Sequence, residues 1–328
     1  MIYQLMDNCN VIVSQSYEYD KLLELKSLRK FISILNEKLN SNFVYYIFWG
    51  EISDEQYLLS KTKKIDQSCH NILFWIGDEK GYIPSDETFQ RFDFIFKVHL
   101  KDKDAIRVEN GINVYRKGLY HFPLLTIDDV PELPILSFED RKYNLYYCGN
   151  LNKNRLPLYL SLKKKYQIKE LITNFLLHNN LRGGDRMFRW CFNGKSFDFS
   201  KQFKKSYIKF YSGFNNGDDY KTYAHFLQNS KIVLSPKGFY SAECFRFYEA
   251  MRQGCIVITE ELPHVKCYKD APCITVKSWK QLSDILIATD YLNSFNPHKI
   301  RKYYDDKLSV NGIANYVYDI VRRELVLY

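Results

Sequence analysis

The run SKIVLSPKGFYSAECFRFYEAMRQGCIVITEELP, residues 230–263, leaves this chain few folds to choose from. Lys231 to Ser235 is a short apolar, β-branched strand pattern that stops at Pro236, because proline cannot continue a central ladder. Gly238 supplies a loop that can turn with positive φ or approach a ligand closely. Ser241 is a good N-cap for a helix expected to run to about Gln253, and Gly254 ends that helix before the strand CIVI begins. A strand, loop, helix and strand in this order form one unit of a parallel α/β sheet. Such a unit places open N–H groups and the positive end of a helix dipole at the carboxyl edge of the sheet, which suits a nucleotide pyrophosphate.

Within the expected helix, Glu243, Arg246 and Glu249 recur every three residues and fan over roughly 120° at 3.6 residues per turn. Two readings follow. In one, Arg246 is the middle of an ion-pair ladder on a solvated face, contributing a few tenths of a kcal/mol per pair. In the other, Arg246 clamps a phosphate and Glu249 accepts hydrogen bonds from the vicinal diol of a ribose.

The pattern S-P-K-G…S-x-x-x-F-R-F-Y-E-A-x-x-x-G-C-I-V-I resembles the nucleotide-sugar-binding segment of exostosin-like glycosyltransferases with the GT-B fold. Upstream, YYCGNLNKNRLPLY (146–159) resembles the strand, Gly149 turn and Arg155-started helix that open the donor domain of such enzymes, and residues 207–229 the strand and tyrosine-bearing helix before the motif. The resemblance covers about residues 143–290. It implies a donor site drawn from Gly149, Arg155, Pro236, Gly238, Ser241, Glu243, Arg246 and Glu249. Val257 stands where the family usually has proline. Many retaining GT-B enzymes carry two glutamates with seven residues between them, and Ser241 occupies the first of those positions relative to Glu249. This favours inversion.

At 328 residues, with 46% hydrophobic and 16% aromatic content, the chain can bury two cores. Its apolar runs are broken by charge well before 18 residues, so no transmembrane helix is expected. The N-terminus lacks the basic and apolar regions of a signal peptide. Eight cysteines without CxxC or Cys/His spacing read as buried apolar groups in a reducing, cytoplasmic setting. The net charge of +9, with lysines grouped at 163–165 and at Lys201, Lys204, Lys205 and Lys209, reads either as a solvated surface or as peripheral contact with an anionic membrane.

The first half alternates helical and strand patterns. Residues 20–40 carry an amphipathic helix pattern, and 42–49, 71–76 and 92–98 are continuous apolar runs typical of strands covered on both faces; Asn10 to Ser14 is a further candidate strand. The expected plan is two Rossmann-like domains with parallel sheets and a cleft between them. Its parts are an acceptor-side domain at 1–122, a linker at 123–142, a donor domain at 143–295, and terminal helices at 296–328 returning to the first domain. Asp78, Glu79 and His99 follow strand ends there and are candidate bases for the attacking hydroxyl, one of them being expected to act; His121 is a further candidate. Arg182-Gly183-Gly184-Asp185-Arg186 reads either as an anion loop or as a surface turn. The acidic pairs Asp218-Asp219 and Asp305-Asp306 do not follow an apolar run as a metal-holding Asp-x-Asp would, so no metal and no cofactor is expected beyond a nucleotide-sugar, with UDP or GDP as carrier.

These features and the resemblance imply a transferase moving sugar from a nucleotide-sugar to an acceptor hydroxyl, and the resemblance alone implies that it acts in surface glycan or glycolipid synthesis. Two alternatives stay open. One is a retaining GT-B transferase or nucleotide-sugar epimerase, for which Glu243 would be indispensable. The other is a polyanion- or membrane-binding protein without catalysis; no RNA-binding signature supports nucleic acid as its partner.

Overall fold

In the first half, the apolar runs form one mostly parallel sheet. Its strands, together with a small hairpin, are β1 (Ile2–Met6), β2 (Cys9–Val13), β3 (Phe43–Trp49), β4 (His70–Trp75), β5 (Phe94–Lys97), β6 (Arg107–Glu109), β7 (Ile112–Val114) and β8 (Leu119–His121). The computed structural model describes residues 2–14, 26–39, 42–125, 130–213 and 216–326. The sheet order is β1-β2-β3-β4-β5-β8, antiparallel only at the β1 edge, with β6 and β7 paired separately. β1 was not foreseen from its sequence. The expected helix at 20–40 is present as Lys26–Lys38, with 20–25 and Asn40 outside the described residues.

Leu28, Phe31, Ile32 and Leu35 form the buried stripe of that helix. Phe31 meets Phe74 of β4 edge-on at 5.0 Å and Phe122 at 5.4 Å, so an aromatic cluster fills this core. Each such fully buried ring contributes roughly 1.5–3 kcal/mol through removal from water. The last helix, Val310–Val326, packs against the same helix.

The second sheet comprises β9 (Tyr143–Asn150), β10 (Phe197–Asp198), β11 (Ser206–Tyr211), β12 (Ser230–Ser235), β13 (Ile256–Glu260) and β14 (Cys273–Val276). Its order is β10-β11-β9-β12-β13-β14, parallel except for the β10 edge. From β9 the chain first builds outward to β11 and then returns to place β12 on the other side. The sheet therefore reverses direction between β9 and β12. In open α/β sheets the crevice outside the carboxyl ends of the strands at such a reversal is where ligands bind.

Two compact units result. One comprises Met1–Asp128, Pro263–Ala271 and Tyr304–Tyr328; the other Asp129–Leu262 and Pro272–Tyr303. This division departs from the expected boundaries in three places. The stretch 130–142, expected as a linker, is held to the second unit: Arg252 donates to Val130 O at 2.7 Å, Gln228 to Pro134 O at 2.9 Å, and buried Arg141 to Ser230 O at 2.7 Å and Gln253 O at 2.9 Å. Residues 263–271 join the first unit, where Asn113 N donates to His264 O at 2.7 Å and His264 meets Asp102 at 2.9 Å. The helix Pro297–Tyr303, expected to return to the first domain, belongs to the second.

Candidate functional site

At the reversal, β9 ends in Gly149-Asn150 and β12 ends in Ser235 before Pro236. A methyl group added at Gly149 would lie 2.6 Å from Arg246 Nη2, 3.0 Å from the Tyr147 hydroxyl and 3.3 Å from Arg155 Nη1. Two guanidinium groups thus converge over one glycine, and only a residue without a Cβ leaves room for both.

Each arginine arrives by a different route. Asn152 caps the turn Lys153–Arg155 by accepting from Asn154 N at 3.0 Å and Arg155 N at 3.1 Å. Arg155 then donates to Asn150 O at 2.9 Å and Lys237 O at 3.3 Å, bridging the ends of β9 and β12. Arg246 comes from the helix Phe245–Arg252, donates through Nη2 to Cys148 O at 2.7 Å, and lies 4.9 Å over the Tyr147 ring. Its Nε is buried and without a partner among the described residues. Carbonyls satisfy part of both forks but supply no counter-charge, which leaves the positive charge available to an anion.

The helix is shorter than its sequence suggests. Cys244 is its N-cap, not Ser241, and gives no side-chain capping bond, so the dipole end faces the loop after Pro236 without a cap. Ser241 instead accepts from Glu243 N at 3.1 Å within that loop. Glu243 therefore stands before the helix and is buried there, outside the helical spacing of Arg246 and Glu249. Gly254 does end the helix, at φ +66°, with the Pro297 carbonyl only 2.6 Å from where a Cβ would sit.

Glu249 is buried and accepts from the Tyr223 hydroxyl at 2.7 Å. Burial raises its carboxyl pKa above the usual range, while the Tyr223 bond and the charges of Arg246 and Arg252 pull the other way. Gly238 anchors the loop: its N donates to Ser241 O at 2.8 Å and its O accepts from Asn154 Nδ2 at 3.0 Å. Glu260, at the end of β13, was not singled out from the sequence. It accepts from Lys237 N at 2.8 Å and Trp279 Nε1 at 2.6 Å, fastening the loop from the far side. A carboxylate closing an otherwise apolar strand, ITE, was its sequence signal. Phe239, Tyr240 and Phe245 expose aromatic surface beside this loop.

In the first unit the three candidate bases separate. Asp78 is 0% exposed, pairs with Lys97 Nζ at 2.7 Å, and accepts from Tyr82 N at 2.9 Å and Lys80 N at 3.2 Å. A carboxylate so enclosed does not reach an acceptor hydroxyl, and its assignment as a base is corrected to a structural one. Burial lowers the Lys97 pKa to about 8 even though Asp78 opposes the shift. Glu79 is exposed. His99 is mostly buried with a left-handed backbone, φ +58°, which is uncommon outside glycine and often marks functional positions. His121 is buried against Cys267 and Tyr268. Gly183, at φ +96°, caps the helix Gly184–Phe192, and Asp185 pairs with Lys153 at 3.3 Å, so the Arg182–Arg186 stretch is a helix entry. Among the described residues no group of three or more His, Cys, Asp or Glu could hold a metal ion.

Residues 200–304 match the family model of the RXYLT1 C-terminal domain. The matched segment contains β11 to β14, the Pro236 loop and the Arg246 helix. Over 214 residues the chain is 26% identical to ribitol-5-phosphate xylosyltransferase 1 of Danio rerio, covering 59% of this chain and 39% of that protein. The chain thus spans about two fifths of the length of this curated relative. Both matches fit the exostosin-like resemblance read from the SPKG and FRFYEA residues. Among solved structures, AviGT4, a glycosyltransferase involved in avilamycin A biosynthesis, aligns with a TM-score of 0.42 at 9% identity, covering 92% of this chain and 90% of its own. MurG of Acinetobacter baumannii aligns at 0.28 and 9% identity, covering 90% and 77%. The α/β fold is read from the chain's own strand order.

Proposed function

We propose that this chain transfers a sugar from a nucleotide-sugar donor to an acceptor hydroxyl, with inversion. The convergence of Arg155 and Arg246 over Gly149 at the sheet reversal carries this reading. In the transfer, a base removes the acceptor proton as its oxygen attacks the anomeric carbon from the face opposite the nucleotide. The bond from that carbon to the distal phosphate oxygen breaks, and the departing diphosphate gathers negative charge. The two guanidiniums and the uncapped helix end are the groups suited to hold that charge without a metal. Glu249 accepts from a ribose diol, and the exposed aromatics of 239–245 offer faces for a base. With Asp78 committed to Lys97, Glu79 and His99 remain as bases in this proposal.

The name of the Danio rerio relative supplies the first substrates to try, a nucleotide-linked xylose and ribitol-5-phosphate. Thermal shift against UDP, GDP, CMP and ADP tests the donor site, because a ligand of the native state raises the melting temperature by mass action. A shift selective for one nucleotide and abolished in Arg246→Ala is expected. Cooperative melting with no shift from any of the four would overturn the reading and favour a binding protein. A mutant whose shift survives Arg246→Ala but not Glu243→Ala would move the assignment to retaining transfer or epimerisation.

A further inference from the structure

The helix Ile168–His178 is turned inside out. Its buried residues are the polar Glu170 and Thr173. Ile168, Leu171, Ile172 and Phe175, at the i, i+3, i+4 and i+7 positions of one apolar stripe, all face solvent, with Ile168 78% and Phe175 60% exposed. The inversion has a local cause. Glu170 Oε1 accepts from the buried Tyr159 hydroxyl at 2.9 Å and from Lys163 at 2.7 Å, which fixes the polar face inward. Thr173 meets Cys191 at 3.5 Å, where the antiparallel helix Gly184–Phe192 packs alongside.

The second helix extends the exposed surface. Trp190 is 66% exposed, and Lys169 lies 5.6 Å over its ring. On these two helices and their flanking turns, Lys164, Lys165, Arg182, Arg186 and Arg189 are all exposed. From 163 to 196 the acidic residues are Glu170 and Asp185, and both are already paired, with Lys163 at 2.7 Å and Lys153 at 3.3 Å. The hairpin therefore combines an exposed apolar stripe, an exposed indole and exposed lysines and arginines that its own two acidic residues do not neutralise. That combination matches the layers of an anionic bilayer, with acyl chains for the stripe, the interface for tryptophan and headgroups for the cations. No helix among the described residues is long and apolar enough to cross a membrane.

We infer that the hairpin 166–192 is a docking surface for an anionic lipid bilayer. Its apolar stripe enters the interface, and this holds whether or not the sugar-transfer reading is right. The test is co-sedimentation with phosphatidylcholine vesicles with and without phosphatidylglycerol. It compares the wild type with two double variants, Ile172→Ser/Phe175→Ser and Arg186→Ser/Arg189→Ser, all four positions being at the surface. The wild type is expected to bind only the anionic vesicles, with a salt-sensitive affinity and a blue-shifted tryptophan emission that Trp190→Phe removes. Each double variant should lose roughly tenfold or more in binding while melting like the wild type and keeping any nucleotide-induced shift. Absent binding, equal binding by all three proteins, or equal binding to neutral vesicles would overturn the inference. So would a wild-type dimer in solution that Ile172→Ser/Phe175→Ser dissociates, since a second copy would then cover the stripe.

Discussion

The carboxyl ends of the two sheets use charge in opposite ways. In the first sheet, Lys97 at the end of β5 and Asp78 after β4 neutralise each other at 2.7 Å, both fully buried. In the second, Arg155 and Arg246 approach one glycine and donate to backbone carbonyls. A closed pair withstands burial because each ion compensates the other. Two like charges brought together repel, and such an arrangement is retained at a cost in stability where an anion completes it. Position at a strand end is therefore insufficient to mark a catalytic carboxylate; its partners decide.

The largest effect that would test this contrast is on the closed pair. Asp78→Asn strips buried Lys97 of its partner, so the lysine must stay unpaired or give up its proton, and unfolding stability should fall by about 3–5 kcal/mol in urea titration. Replacing the pair with Asp78→Leu/Lys97→Met should recover most of that loss. If the single variant were nearly neutral, Asp78 would be free to act as a base and the contrast would fail. Next in size is Gly149→Ala, whose methyl group meets Arg246 Nη2 at 2.6 Å. Displacing one guanidinium should weaken nucleotide binding by roughly tenfold, about 1.4 kcal/mol by calorimetry, with little change in melting.

The smallest effect concerns Glu249. Its raised pKa means the folded state holds the proton more tightly than the unfolded chain. The associated stability is present below about pH 4.5, the unfolded value, and is lost as pH rises through the raised folded one. Glu249→Gln removes this term. At pH 7 its melting temperature should equal or exceed that of the wild type, while nucleotide binding weakens. The wild-type minus variant difference, followed from pH 4 to 7, should fall with rising pH; a rising difference would mean the carboxylate is structural.

Much of this arrangement can be read from short stretches of sequence. The apolar runs at 42–49, 71–76 and 92–98 became central strands because burial on both faces leaves no other pattern. The placement of Gly254 at a helix end follows from its freedom at positive φ. Pro236 marked the end of β12 for want of an N–H. The helix start was harder: Ser241 is the better cap by composition, yet the helix begins at Phe245 because the 236–241 loop is held by Asn154, Arg155 and Glu260 from elsewhere in the unit. Lys97 inside FDFIFKV was a visible signal, since a charge in a doubly covered strand needs a buried partner, but nothing local named Asp78.

The sequence by itself determined the central strands and several of their stops, and it marked Gly149, Arg155 and Arg246 in the segments around those stops. Those are local consequences of side-chain period, proline and glycine, acting over a few residues. Tertiary structure alone decided that the two arginines meet, that Asp78 is spent on Lys97, and that Ile168–His178 turns its apolar stripe outward. Each depends on strand order or on the registry of distant elements, and the free energy of a charge or an apolar side chain is set by what the fold brings beside it.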